Sequence, residues 1–143
     1  LQSVKNEQLD LQAQYDKYVP VFVKIAPDMD AVAVQQVADT LLKSNMDGVI
    51  ATNTTLDRSL VQGQRYADES GGLSGLPVRH KSTEVLRQLR AAVGKDMPII
   101  GVGGISDAAS AQQKLDAGAN LLQVYTGFIY RGPELIRQIV SSL

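Results

Sequence analysis

Four short apolar runs alternate with segments of helical period along this chain. Each run is rich in Val, Ile or Leu and shows little polar alternation, which is typical of strands buried on both faces of a parallel sheet. We therefore expect four interior strands. The runs are residues 19–26, 47–53, 97–104 and 120–127.

Between and after these runs, apolar residues recur every three or four positions, as they do on one face of a helix. Asp30 is the predicted N-cap of the first helix, and Gly94 closes the second with a residue that tolerates positive φ. The helical segments are residues 30–45, 82–93, 106–118 and a last one that has Pro133 in its first turn.

A strand followed by a helix, four times over, predicts βα units and an α/β fold with a parallel sheet. Two architectures remain open, a doubly wound sheet and part of a closed barrel. A complete eight-unit barrel needs about 250 residues, whereas this chain has 143. Four units would be half a barrel with two exposed edges, so we expect either further residues beyond this chain or self-association. Leu1, which is not Met and reads as mid-helix, also suggests a piece of a longer protein.

The composition of the chain argues against several classes of function. With 14 Lys and Arg against 15 Asp and Glu, the net charge is −1, which argues against a nucleic-acid-binding surface. The absence of cysteine excludes disulfides, thiolate metal sites and cysteine nucleophiles. No His, Asp and Glu set has metal-ligand spacing. The apolar runs are far shorter than the roughly 20 residues that span a bilayer, so no membrane segment is predicted.

Residues 54–81 are an unusually long connection with no convincing period. Structureless loops beyond about 12–15 residues are uncommon in compact domains and often have functional roles. We predict a functional loop with a mobile tip. His80, the only histidine, lies at its end and is expected to be exposed or locally hydrogen-bonded.

The ends of the first two strands carry polar groups where the βα loops of parallel folds gather. Lys24 lies on an apolar strand, so its ammonium could face a bound anion or electron-rich ring, pair with Asp28, or act as a Schiff-base nucleophile. Thr52, Asn53 and Thr54 follow the second strand, and their amide and hydroxyl groups suit a planar polar ligand. Strand-ending turn chemistry is the alternative.

The ends of the last two strands predict a phosphate site. Gly103 and Gly104 lead into a helix, and glycines let a phosphate approach main-chain N–H groups. Tyr125 and Thr126 precede a short turn, and glycine loops after the last strands of a barrel recur as phosphate sites. Tight packing of a helix on the strand would explain the glycines equally well.

Five sequence words occur together and in order, and they carry a family resemblance. They are VKIAPD at 23–28, IATNTTLDRS at 50–59, GGLSG at 71–75, IIGVGGI at 99–105 and QVYTGFIYRGP at 123–133. The chain resembles the C-terminal half of class 2, quinone-dependent dihydroorotate dehydrogenases over nearly its whole length. The cytosolic class 1 enzymes differ in these words.

The resemblance implies an FMN-containing (β/α)₈ barrel, of which residues 1–143 form one partial domain with strands five to eight. That family oxidises dihydroorotate to orotate in pyrimidine (UMP) biosynthesis and passes the electrons to a membrane quinone. It implies that Asn53 and Thr54 bind the pyrimidine substrate. The residues implied as FMN contacts are Lys24, Thr52, Gly75, Gly103, Gly104, Tyr125 and Thr126, where serine is common in the family at the last position.

The resemblance also implies which functional parts of the family's enzymes lie outside these residues. In the family, the catalytic serine base, further substrate asparagines and the membrane-docking extension that forms the quinone tunnel precede this half. We therefore expect no catalytic base in this chain, an inactive chain when isolated, and a parent enzyme peripheral to the cytoplasmic face of the inner membrane if bacterial. Two alternatives stay open, a phosphate-binding barrel isomerase or aldolase that uses Lys24, and a non-catalytic half-barrel.

Overall fold

Four parallel strands, hydrogen-bonded in their order along the chain, form the one sheet of the protein. The computed structural model describes all 143 residues. A doubly wound sheet would reverse its strand order at a switch point, so the sequential order indicates a barrel segment. The strands are β1 (Phe22–Ile25), β2 (Gly48–Ala51), β3 (Ile99–Val102) and β4 (Leu121–Gln123).

Six helices accompany the sheet, and the predicted order of strands and helices is confirmed. Asp30 caps the second helix as predicted, since its carboxylate accepts a hydrogen bond from the N–H of Ala33 at 2.8 Å. None of the helices is both long and apolar enough to cross a membrane. The helices are α1 (Gln2–Tyr15), α2 (Ala31–Lys43), α3 (Arg79–Val93), α4 (Ala108–Asp116), α5 (Thr126–Arg131) and α6 (Pro133–Ser142).

The core lies between one face of the sheet and the helices α2 and α3. Fifteen buried residues form it, among them Val49 of β2, Ile99 of β3 and Leu89 of α3. A smaller cluster joins the start of α4 to α6 through Ile105, Ala111, Leu135 and Ile139. Burial of these side chains is the main force that holds the helices on the sheet.

The opposite face of the sheet has no helix over it. Lys24, Ile50, Ile100 and Leu121 form one row across the four strands, and none of the four is buried. The expectation that all four strands are interior is therefore wrong for β1 and β4, whereas the two exposed edges expected of a half-barrel are confirmed at these strands. An apolar run indicates which side chains are buried in the folded protein, but it does not indicate which strand lies at the edge of the sheet.

The long connection after β2 has more structure than the sequence predicts. Thr55 pairs with Leu73 in an antiparallel bridge, and short 3₁₀ turns occupy Ser59–Val61 and Leu76–Val78. Helix α3 begins at Arg79, three residues before its predicted start. The prediction missed these residues because the first turn is polar and does not continue the apolar period. The loop therefore ends earlier than residue 81.

Candidate functional site

The nine residues predicted to bind cofactor or substrate all line one cleft at the carboxyl edge of the sheet. The cleft has a volume of about 220 Å³, below the roughly 300–1,000 Å³ of typical small-molecule sites. The nine are Lys24, Thr52, Asn53, Thr54, Gly75, Gly103, Gly104, Tyr125 and Thr126.

Lys24 extends from the middle of β1 on the uncovered face of the sheet, where it is exposed. It forms no ion pair, because Asp28 binds Lys81 at 3.0 Å instead. Burial alone would raise the pKa of Asp28, but hydrogen bonds from Thr55 and the N–H of Leu56, together with Lys81, lower it. The pairing of Lys24 with Asp28 is thus ruled out, and its ammonium is free to meet a ligand in the cleft.

Asn53 presents a free amide group beside the cleft. Its Oδ1 accepts a hydrogen bond from the N–H of Thr54 at 2.9 Å, whereas its amide nitrogen has no acceptor within the chain. Thr52 is buried, and its hydroxyl donates to the carbonyl of Asn53 at 2.9 Å. Asn53 can therefore both stabilise the turn and bind a ligand, since its Oδ1 accepts the hydrogen bond of the turn and its amide nitrogen is unused.

Gly103 and Gly104 follow β3 with φ of 111° and 73°. A Cβ on Gly104 would lie 2.4 Å from the Cβ of Arg79, and one on Gly103 would lie 2.7 Å from Oγ of Ser82. Helix packing alone therefore requires both glycines. Their main-chain N–H groups nevertheless have no acceptor within the chain, so packing and anion binding are compatible.

Thr126 joins the last strand end to the long loop. Its hydroxyl donates to Oγ of Ser74 at 2.9 Å, and its Cγ2 would lie 3.1 Å from a Cβ on Gly75, whose φ is 80°. Tyr125, which is 73% exposed, precedes it at the start of α5. The GGLSG word thus touches the predicted phosphate loop directly.

Comparisons with known proteins place the chain in a family. A family model described as dihydroorotate dehydrogenase matches residues 2–143. The chain belongs to the dihydroorotate dehydrogenase family. This match covers almost the whole chain, and the α/β fold and the family resemblance predicted from the sequence are confirmed.

The curated relatives of this chain are named dihydroorotate dehydrogenase (quinone). It is 60% identical to the one from Pseudoalteromonas translucida and 57% identical to the one from Klebsiella pneumoniae strain 342, over all 143 residues in each case. In both comparisons the chain spans 43% of the relative's length. The match therefore supports the quinone-dependent class.

Two solved structures of the family superpose on the chain. The dihydroorotate dehydrogenase of Eimeria tenella in complex with ferulenol gives a TM-score of 0.83 at 36% identity, covering 88% of this chain and 34% of that one. The ligand-free type from the same organism gives 0.80 at 37% identity, covering 85% and 34%. The four-stranded sheet thus corresponds to part of the family's barrel.

Several cleft residues of this family member were not predicted from the sequence. Ser74 lies inside the GGLSG word, which was noted only for Gly75, and Gln123 lies at the end of β4. Ser74 directly precedes Gly75 and Gln123 lies two residues before Tyr125, and this nearness to predicted residues is the signal that could have identified them. His80 is exposed on the first turn of α3 and does not line the cleft. No group of three His, Asp or Glu residues could hold a metal ion.

The donor set of the cleft fits a planar anionic cofactor. No Asp or Glu lines it, whereas Lys24, the hydroxyls of Thr52 and Thr54 and the unpaired N–H groups of Gly103 and Gly104 do. The hydroxyl of Thr52 already donates to the carbonyl of Asn53, so the free donors include the ammonium of Lys24 and the N–H groups of the two glycines. Together with the absence of carboxylates, they favour a bound anion over a cation.

Proposed function

We propose that this chain forms one half of the FMN and substrate site of a quinone-dependent dihydroorotate dehydrogenase. The reaction is oxidation of (S)-dihydroorotate to orotate with a quinone as electron acceptor, in the synthesis of pyrimidines (UMP). The observation that carries the proposal is that nine residues from the four strands, the segments that follow them and the long loop line one cleft. FMN, when bound there, supplies the acceptor for the two electrons of the substrate.

The phosphate of FMN would bind at the ends of β3 and β4. The N–H groups of Gly103 and Gly104 are free of other acceptors, and main-chain donors of this kind suit phosphate oxygens. Tyr125 and Thr126 would complete the cradle from the other side. Gly75 would contact the flavin where the long loop crosses Thr126.

Lys24 and Thr52 would contact the isoalloxazine ring. The unpaired ammonium of Lys24 would stabilise negative charge that develops on the ring as it accepts electrons. It has no carboxylate partner to neutralise it, so the full charge is available to the cleft. Thr52 is fixed by burial and by its bond to the carbonyl of Asn53.

Asn53 and Thr54 would bind the pyrimidine. The free amide nitrogen of Asn53 can donate to a carbonyl oxygen of dihydroorotate, while its Oδ1 is already held by the N–H of Thr54. This bond fixes the orientation of the amide, and a fixed donor is what a planar substrate with alternating donors and acceptors requires.

The proton acceptor for the substrate would come from outside these 143 residues. Ser74 is the only serine of the cleft, and its Oγ accepts a hydrogen bond from Thr126 with no general base beside it. Because dehydrogenation needs base, ring and substrate held together, we propose that the isolated chain is inactive. Quinone binding and association with the inner membrane would likewise depend on residues outside this chain, and its bare edges could also lead to self-association.

A chimaera tests the proposal with this chain's own residues. In it, the chain replaces the matching 43% of the Pseudoalteromonas translucida relative. The purified chimaera should contain FMN and reduce a quinone with dihydroorotate. A chimaera that folds, contains no FMN and is inactive, while the unaltered relative contains FMN, would refute the proposal.

Lys24→Ala in the chimaera tests the role of the ammonium. It should slow flavin reduction or lower FMN content, whereas Lys43→Ala, which removes an exposed lysine of α2, should do neither. Unchanged FMN content and reduction rate in Lys24→Ala would contradict the assignment. Borohydride trapping of a carbonyl compound on Lys24 would instead support the isomerase or aldolase alternative.

A further inference from the structure

Lys114 of α4 is a lysine in the interior of the protein. Its side chain is 0% exposed, and it forms no ion pair. Nζ donates hydrogen bonds to Oγ of Ser82 and, at 3.4 Å, to the carbonyl of Arg79. The only partners of this buried amine are therefore a hydroxyl and a main-chain carbonyl at the first turns of α3.

A buried ammonium without a counter-charge is unfavourable, because little water solvates it. Burial, with a smaller effect of the positive charge on Arg79, lowers the pKa of Lys114 to about 7. Arg79 also lacks an ion pair. Hydrogen bonds from Ser110 lower the pKa of Asp107, and the positive charge of Arg79 lowers it further.

These two cations lie behind the glycine loop that follows β3. Oγ of Ser82 lies 3.3 Å from the carbonyl oxygen of Gly103, and Nε of Arg79 donates to the carbonyl of Gly104 at 2.7 Å. The carbonyl groups of the loop are thus held by α3 and, through Ser82, by Lys114. The N–H groups of the same two glycines have no acceptor within the chain.

We propose that Lys114 is the buried counter-charge of the phosphate group bound at the Gly103–Gly104 loop, and that Ser82 connects the two. A doubly negative phosphate on the cleft side of the loop favours the charged form of Lys114, and the charged Lys114 in turn increases affinity for the phosphate. Lys114 touches no ligand and is a positioning residue. The inference rests on the proposed function, since it takes the phosphate to be that of FMN.

Comparing FMN with riboflavin isolates this effect, because riboflavin has the same ring and lacks the phosphate. The chimaera is stripped of cofactor, and dissociation constants for both flavins are measured by fluorescence quenching. Lys114→Met keeps the length and apolar stem of the side chain and removes its charge. It should weaken FMN binding about tenfold, the order expected for one charge that acts through protein without touching the phosphate, and change riboflavin binding less than about twofold.

Two further variants keep the test decisive. Ser82→Ala removes the connecting hydroxyl without adding bulk near Gly103 and should also weaken FMN binding more than riboflavin binding, even if Lys114→Met fails to fold. Lys43→Met removes an exposed lysine of α2 and should change neither constant. An equal loss for both flavins, or no loss for either, in Lys114→Met and Ser82→Ala would overturn the inference. Failure of the unaltered chimaera to bind either flavin would overturn the proposed function itself.

Discussion

Replacement of Lys114 by Met should change how the stability of this chain depends on pH. The pKa of Lys114 falls from its ordinary value of 10.5 to about 7 in the folded protein. Between these two values the unfolded chain binds a proton at Lys114 that the folded chain has released. The free energy of unfolding therefore rises with pH in this window, and it does so by up to about 1.4 kcal/mol per pH unit.

From pH 7 to pH 9, this linkage contributes a gain of about 2 kcal/mol to the free energy of unfolding of the natural chain. Lys114→Met has no titrating group at this position, so its gain over the same interval should be smaller by that amount. Other lysines titrate equally in both proteins and cancel in the comparison. The full burial of the side chain justifies using the whole shift, because solvent does not screen it.

Urea titrations at pH 7 and pH 9, followed by far-UV circular dichroism, measure both gains. Lys43→Met is the matched control, since that lysine is exposed on α2, and it should behave as the natural chain does. Equal pH dependence in the natural chain and in Lys114→Met would contradict this prediction, because it would mean that Lys114 titrates alike in the folded and unfolded states.

Three other predictions address the loop, the substrate and the acid stability. Gly104→Ala should destabilise the chain by about 2–4 kcal/mol, because of the positive φ and the close approach of Arg79. Gly63→Ala, also at positive φ but with no neighbour within 4 Å, should cost only about 1 kcal/mol. Equal losses of stability in the two variants, measured by urea titration, would contradict the packing argument. Asn53→Ala in the chimaera should raise the KM for dihydroorotate with a smaller effect on FMN content, and steady-state assays that give an unchanged KM would remove the amide from the substrate site. Burial would raise the pKa of Asp47, but hydrogen bonds from Tyr18, the N–H of Val21, Gln8 and Lys5 lower it to about 2. The contribution of Asp47 to stability is therefore present above pH 4 and is lost as the pH falls through 2. Acid titrations should show about 2 kcal/mol less acid destabilisation in Asp47→Asn.

Much of the fold follows from local sequence patterns. The apolar runs and helical periods predict the order of elements, and the capping role of Asp30 is visible in the sequence. The composition of β1 and β4 does not show that they are edge strands, because an edge depends on which neighbours are present; the count of four units, half of a barrel, is what predicts two edges. Order within the long loop also depends on contacts distant in sequence, such as the bridge between Thr55 and Leu73.

The cleft was predictable because parallel strands bring their carboxyl ends to one edge, so separate polar strand ends must lie together. The network behind it was not predictable. A lysine on an amphipathic helix normally faces solvent, and nothing around Lys114 in sequence indicates that it is buried. Its position follows from the missing side chain of Gly101, where a Cβ would lie 3.3 Å from the Cβ of Lys114, and from the first turns of α3.

We propose that these residues form half of a flavin site, and a visible absorption spectrum of the purified chimaera shows whether flavin is bound. The cofactor is released by denaturation and identified, and the polypeptide mass is measured on the same sample. We expect a flavin spectrum and about one FMN per chain of full chimaera mass. A folded chimaera of the correct mass with no flavin, beside an unaltered relative that retains it, would rule out the proposed flavin site.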